Sequence, residues 1–116
     1  MRLSVAMCTY FGENYIREQL LSIHRQTVSV DEIVICDDCS DDDTVAIIRK
    51  LTTQYNLPVR LFVNEWNYGF KKNFEQAICR CKGDIIFLSD QDDIWVPTKV
   101  EAIVNYFNRN PDKNFV

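Results

Sequence analysis

Ile33-Val34-Ile35-Cys36-Asp37-Asp38-Cys39-Ser40 changes character at its midpoint. The first four residues are apolar without alternation. A strand with one wet face alternates apolar and polar residues; an unbroken run suits a strand buried on both faces, as in a parallel sheet. The last four residues are acidic and turn-forming, so a buried strand ends in an acidic tip. The pattern recurs on either side. Leu3 to Cys8 is short and mostly apolar and leads into Thr9-Tyr10-Phe11-Gly12. Asp84 to Leu88 carries Ile85-Ile86-Phe87-Leu88 and leads into Asp90-Gln91-Asp92-Asp93. Pro58 to Val63 adds Val59, Leu61 and Val63 at period two.

Helical stripes lie between these runs. Ile16, Leu20 and Ile23 share one face, as do Val45, Ile48, Leu51 and Tyr55. Phe70, Phe74, Ala77, Ile78 and Cys81 form a third stripe, and Val100, Ile103, Val104 and Phe107 a fourth. Ser40-Asp41-Asp42-Asp43 reads as a capping box that places the three aspartates in a first helical turn. Lys82-Gly83 reads as a helix stop, and Pro97 suits the first turn of the last helix. The order β-α-β-α-β-α-β-loop-α predicts a three-layer α/β/α domain around a mostly parallel sheet. Ligands of such sheets bind beyond the carboxyl ends of the strands, where strand order reverses.

The 116 residues suit one domain. A hydrophobic share of 47% with 26% charged residues excludes disorder, collagen and a coiled coil. The net charge of −4 does not suit general binding to nucleic acid or anionic membranes. There is no apolar run of membrane-spanning length and no signal-peptide pattern, so a cytoplasmic protein is expected. The five cysteines fit: Cys8, Cys36 and Cys79 sit in apolar patterns, and an odd number argues against a disulfide framework. Asn114-Phe115-Val116 reads as the opening of another strand, so the chain is expected to be the N-terminal part of a longer protein.

The acidic tips carry the chemistry. Asp37 suits backbone amides of its own turn, whereas Asp38 is the better ligand contact, able to accept a ring N–H of a base. Asp90 and Asp92 lie two apart, on one side of an extended segment, and repel unless a cation sits between them. Mg²⁺ and Mn²⁺ prefer such oxygen ligands and share them with phosphate. Tyr10 suits either stacking on a base or packing. Lys71 and Lys72 suit either a diphosphate or a solvated helix face. Cys36, Cys39, Cys79 and Cys81 lie in different elements, which weakens a zinc-site reading.

Four stretches together resemble the nucleotide-binding half of family 2 glycosyltransferases, of GT-A fold. They are Val5-Ala6-Met7-Cys8-Thr9-Tyr10, Ile35-Cys36-Asp37-Asp38-Cys39-Ser40, Asn67-Tyr68-Gly69 with Asn73, and Leu88-Ser89-Asp90-Gln91-Asp92-Asp93-Ile94-Trp95. The last stretch looks most like rhamnosyltransferase-type members. The resemblance implies that Thr9 and Tyr10 line a pocket for uracil or thymine and that Asp38 bonds the base N3–H. It also implies that Lys72 lies near the diphosphate. Asp90-Gln91-Asp92 would be the Asp-x-Asp motif, with Asp92 on a Mn²⁺ or Mg²⁺ ion and Asp90 facing the ribose or the ion's shell. Phe11 stands where many relatives have Asn, and Cys39 where many have Gly.

The implied reaction is metal-assisted, inverting sugar transfer from a UDP- or dTDP-type donor to an acceptor glycan or lipid-linked sugar, in cell-surface polysaccharide synthesis. The acceptor half and the catalytic base would come later in the chain, so no catalytic residue is assigned here and the chain alone is expected to bind nucleotide without transferring sugar. Segments outside it would give any peripheral membrane association, and a sheet cut short would tend to self-associate. The other readings are a phospho-receiver, a sugar-phosphate nucleotidyltransferase and a non-catalytic α/β interaction module. A receiver needs an acidic pair after the first strand, where Thr9-Tyr10 stands. A nucleotidyltransferase needs a basic Gly-rich loop, where Phe11-Gly12-Glu13 stands.

Overall fold

The structure is a computed structural model that describes residues 1–90 and 93–110. Eight elements alternate: β1 (Leu3–Thr9), α1 (Ile16–His24), β2 (Glu32–Asp37), α2 (Thr44–Tyr55), β3 (Val59–Val63), α3 (Phe70–Arg80), β4 (Ile85–Ser89) and α4 (Lys99–Arg109). The strands lie in the order β3-β2-β1-β4 and every pairing is parallel. The chain moves outward from β1 through β2 to β3, then returns across to the other side of β1. The switch point therefore falls between β1 and β4.

Burial follows that order. β1 and β2 are central and buried along their whole length, as their unbroken apolar runs require. Leu3, Val5, Met7, Ile33 and Ile35 join α1, α2 and Val100 of α4 in the larger core. Ala6, Cys8, Val34 and Cys36 face α3, where Ala77 and Phe74 complete a smaller one. Helices thus cover both faces, giving the three layers. No helix among the described residues is long and apolar enough to cross a membrane.

Several local expectations are corrected. β4 has the same apolar run as β2 but alternates in burial, with Ile86 and Leu88 exposed, because α3 packs over β1 and β2 and leaves that face of β4 open. In α3 the buried residues are Asn73 and Ala77, whereas Phe70 and Ile78 are exposed. Cys79 is exposed as well, not part of an apolar face. Ser40 does not cap α2. Its hydroxyl is spent between Asp37 and the Phe11 N–H, and the helix starts only at Thr44, after the three aspartates. Gly83 is not the stop of α3, which ends at Arg80. It lies where a Cβ would come within 2.4 Å of the Ser4 hydroxyl, so its size matters more than its flexibility. Pro97 precedes the N-cap Thr98 of α4. Residues 111–116, with the expected extra strand, lie outside the described residues.

At the amino edge of the sheet, acidic side chains pin the strand starts. Asp84 accepts from the Arg2 N–H at 2.8 Å and Asp31 from the Leu3 N–H at 2.7 Å. Buried Glu32 accepts from the Ser4 hydroxyl, the Lys82 N–H and Arg60. Burial alone would raise the Glu32 carboxyl, but these donors outweigh it and hold the group below its ordinary value.

Candidate nucleotide site

Because the sheet is parallel, the tips of β1, β2 and β4 share one rim. Thr9 pairs with Asp37 in register, and Met7 with Ser89. A cavity of about 390 Å³ opens there, lined by Cys8, Thr9, Tyr10, Asp38, Asn67, Gly69, Phe70 and Asn73. The rim expected from the sequence is the one observed, and Thr9, Tyr10 and Asp38 come together on it.

The two adjacent aspartates divide their work. Asp37 is fully buried and committed to the fold: Oδ1 accepts from the Thr9 and Ser40 hydroxyls, each at 2.7 Å, and Oδ2 from the Ser40 N–H at 2.8 Å. These bonds tie the β1 and β2 tips together and shape the turn that presents Asp38. Asp38 is also buried, yet it lines the cavity. Its Oδ1 accepts from Asn64 Nδ2 at 2.9 Å and the Tyr68 N–H at 2.7 Å, and its Oδ2 accepts from the Gly69 N–H at 2.9 Å. A carboxylate offers about four acceptor positions, so among the described residues one on Oδ2 is left over. Asp38 is therefore not a freely presented base contact. It is first the anchor of the Asn67-Tyr68-Gly69 turn.

That turn belongs to an amide network that the sequence reading missed. Asn73, buried on α3, donates to the Cys36 carbonyl at 2.8 Å and accepts from Asn64 Nδ2 at 2.9 Å. Gln76 donates to Asn64 Oδ1 at 2.9 Å. The network locks α3 onto the end of β2. Its sequence signals are that Asn73 belongs to a stretch carrying the family resemblance and that it is a polar residue four positions before Ala77, on the face that α3 buries.

Beyond β4, Asp90 is exposed while its backbone is held. Buried Gln19 of α1 donates to the Ser89 hydroxyl at 2.9 Å and to the Asp90 carbonyl. Asp90 thus presents a hard oxygen donor from a fixed position. Its charge is felt in the cavity: the Cys8 thiol is pushed up by burial first, then by Cys36, Asp38 and Asp90. Among the described residues no three His, Cys, Asp or Glu side chains gather around a common point. Asp92, the second expected metal ligand, lies outside the described residues. Tyr10 is 44% exposed with its ring edge-on to Phe11 at 4.5 Å. Lys72 is exposed on α3 and does not line this cavity. Asp41, Asp42 and Asp43 precede α2; Asp42 accepts from the Thr44 and Glu13 N–H groups and stiffens the rim.

Both departures from the family pattern fall where the backbone is left-handed. Phe11 has φ 51° and Cys39 φ 64°, a region that favours Asn and Gly. The turn at Cys39 is made without glycine, at a cost in strain.

A doubly wound parallel α/β domain with its cavity and acidic tips on the carboxyl rim of the sheet defines the class. Comparison with known proteins gives the family: residues 4–116 match the model of glycosyl transferase family 2, and the chain belongs to it. An uncharacterized glycosyltransferase of Haemophilus influenzae is 31% identical over 114 residues, 98% of this chain and 37% of that protein. An uncharacterized protein of Mycobacterium tuberculosis is 31% identical over 95% of this chain and 32% of its own length. The fold matches GT-A glycosyltransferase structures. Staphylococcus aureus TarS 1-349, solved in complex with UDP, superposes with a TM-score of 0.85 at 28% identity, over 94% of this chain and 32% of that one. The mannosyltransferase PcManGT of Pyrobaculum calidifontis, in complex with GDP-Man and Mn2+, gives 0.83 at 25% identity, over 91% and 32%. The chain spans about one third of the length of these relatives.

Proposed function

We propose that this chain is the donor-binding part of a glycosyltransferase that takes a UDP- or dTDP-type nucleotide sugar together with Mn²⁺ or Mg²⁺. The observation that carries the reading is the convergence of Thr9, Tyr10 and Asp38 on one cavity, with exposed Asp90 on the same rim. The three bonds to Asp38 come from donors, so the carboxylate acts as an acceptor, and its spare position suits a ring N–H. Uracil, thymine and guanine carry such a donor on their pairing edge; adenine does not. The bound UDP of TarS and GDP-Man of PcManGT agree with that preference.

Asp90, with Asp92, would hold the divalent ion, since a hard cation takes one or two carboxylates and fills its shell with phosphate oxygens. When bound, such an ion stabilises the negative charge of a departing diphosphate. In the full reaction an acceptor hydroxyl oxygen bonds to the anomeric carbon as the bond to the nucleoside diphosphate breaks, with inversion, and the hydroxyl proton passes to a base. This chain contributes the pocket that holds and orients the leaving nucleotide. An acceptor glycan or lipid-linked sugar in polysaccharide synthesis fits the family.

Calorimetric titration of the folded chain with UDP, dTDP and GDP in Mn²⁺ tests the proposal. Saturable binding of UDP or dTDP that weakens when Mn²⁺ is removed is expected. Absence of heat with all three would overturn it.

A further inference from the structure

Phe70 is 68% exposed, more than any other large hydrophobic side chain among the described residues. It is the first residue of α3 and it lines the same cavity as Tyr10 and Asp38. Its ring is not loose: it meets the Phe74 ring edge-on at 5.0 Å, and Phe74 packs on the smaller core. Its backbone is set from the site itself. Gly69, at φ 91°, turns the chain into α3, and the Gly69 N–H is held at 2.9 Å by Asp38 Oδ2. The carboxylate with the spare acceptor position therefore also fixes the residue before Phe70.

We propose that Phe70 is a second aromatic wall of the base subsite: with Tyr10 it takes the flat face of the nucleobase whose edge Asp38 reads. The inference rests on the donor-site reading and names a residue that reading does not contain. A nucleobase has both features the cavity offers to meet, a π-face for the two rings and an N–H edge for the carboxylate. A diphosphate has neither. Covering an exposed, held ring with a base removes apolar area from water without ordering a mobile side chain. Stacking of this kind is worth roughly five- to 150-fold in affinity per base.

The test is titration of the 116-residue chain and its variants with UDP and, separately, with pyrophosphate, both in Mn²⁺. Phe70→Leu keeps an apolar side chain and removes the π-face; Phe70→Tyr is the conservative rescue. The expected result is that Phe70→Leu weakens UDP about tenfold, leaves pyrophosphate unchanged, and that Phe70→Tyr restores UDP binding. Unchanged UDP affinity in Phe70→Leu would overturn the wall while leaving the donor site standing. Equal loss for both probes would also overturn it, as a structural effect. So would a wild-type chain that binds UDP no better than pyrophosphate. A folded wild-type chain that binds neither would overturn the donor site and the wall with it.

Discussion

The two edges of the sheet use their buried carboxylates differently. At the amino edge buried Glu32 is spent on donors from β1, from β3 and from the residues before β4, while exposed Asp31 and Asp84 each hold one N–H at the start of β1. At the carboxyl edge Asp37 is used up by the fold, and Asp42 is taken by the Thr44 hydroxyl and N–H and by the Glu13 N–H. Asp38 keeps one acceptor position facing a cavity, and Asp90 stands exposed on a backbone held by Gln19. Acidic residues are frequent at both edges, so their number does not locate the site. What locates it is a buried carboxylate that lines a cavity and keeps an acceptor position after the fold has taken its share.

The largest effect is expected at the amino edge. Glu32→Ala strands the Ser4 hydroxyl, the Lys82 N–H and one side of Arg60, and should cost about 3 kcal/mol in denaturant unfolding. Because the Glu32 carboxyl is held below its ordinary value of 4.5, its contribution is complete above that pH and fades as pH falls through the lower, folded value. Glu32→Gln should flatten that part of the stability curve without changing nucleotide affinity.

Asp38→Asn should act on both properties. It weakens the anchor of the 67–69 turn, for about 1–2 kcal/mol of stability, and should lower UDP affinity about tenfold, the equivalent of one charge-assisted hydrogen bond. A loss of stability with unchanged affinity would move Asp38 into the class of Asp37 and erase the distinction between them.

A gain is expected at Cys39. Relief of its left-handed strain by Cys39→Gly should raise stability by about 1 kcal/mol, read as a higher unfolding midpoint. A loss would mean that the thiol contact to the Glu65 carbonyl at 3.7 Å outweighs the strain.

The smallest effect on folding is expected at Asp90. Asp90→Asn should shift stability by less than about 0.5 kcal/mol, as for an exposed surface substitution. It should nevertheless abolish most of the Mn²⁺-dependent gain in UDP affinity. That separation is the reverse of the one expected for Glu32.

How much of this was legible in the sequence varies by residue. Ile33 to Cys36 marks a central strand because a run without alternation has no wet face to offer. Ile85 to Leu88 is written the same way yet ends half exposed. Burial of β4 depends on where α3 lies across the sheet, and no local pattern encodes that. The rim of Thr9, Tyr10 and Asp38 followed from parallel order alone, since parallel strands end on the same side. The place of Lys72 was not legible in this way, because a lysine's position on a helix says which face it shares and not which cavity lies near. The cap expected at Ser40 failed for a similar reason: its hydroxyl found partners in Asp37 and Phe11, a distant strand tip, and local spacing cannot see such partners. The Asn64-Asn73-Gln76 network was concealed by its composition, since amides at helical spacing read as solvated until one is found against the Cys36 carbonyl.

One spectrum separates the two edges most directly. The backbone amide signals of the isotope-labelled chain can be followed while UDP and traces of Mn²⁺ are added, the paramagnetic ion broadening whatever lies near it. Broadening should begin at Thr9, Asp38, Gly69 and Asp90 and spare Leu3, Lys82 and Gly83. Broadening that starts at the amino edge, or that spreads evenly over both, would contradict the assignment of the nucleotide and its ion to the carboxyl rim.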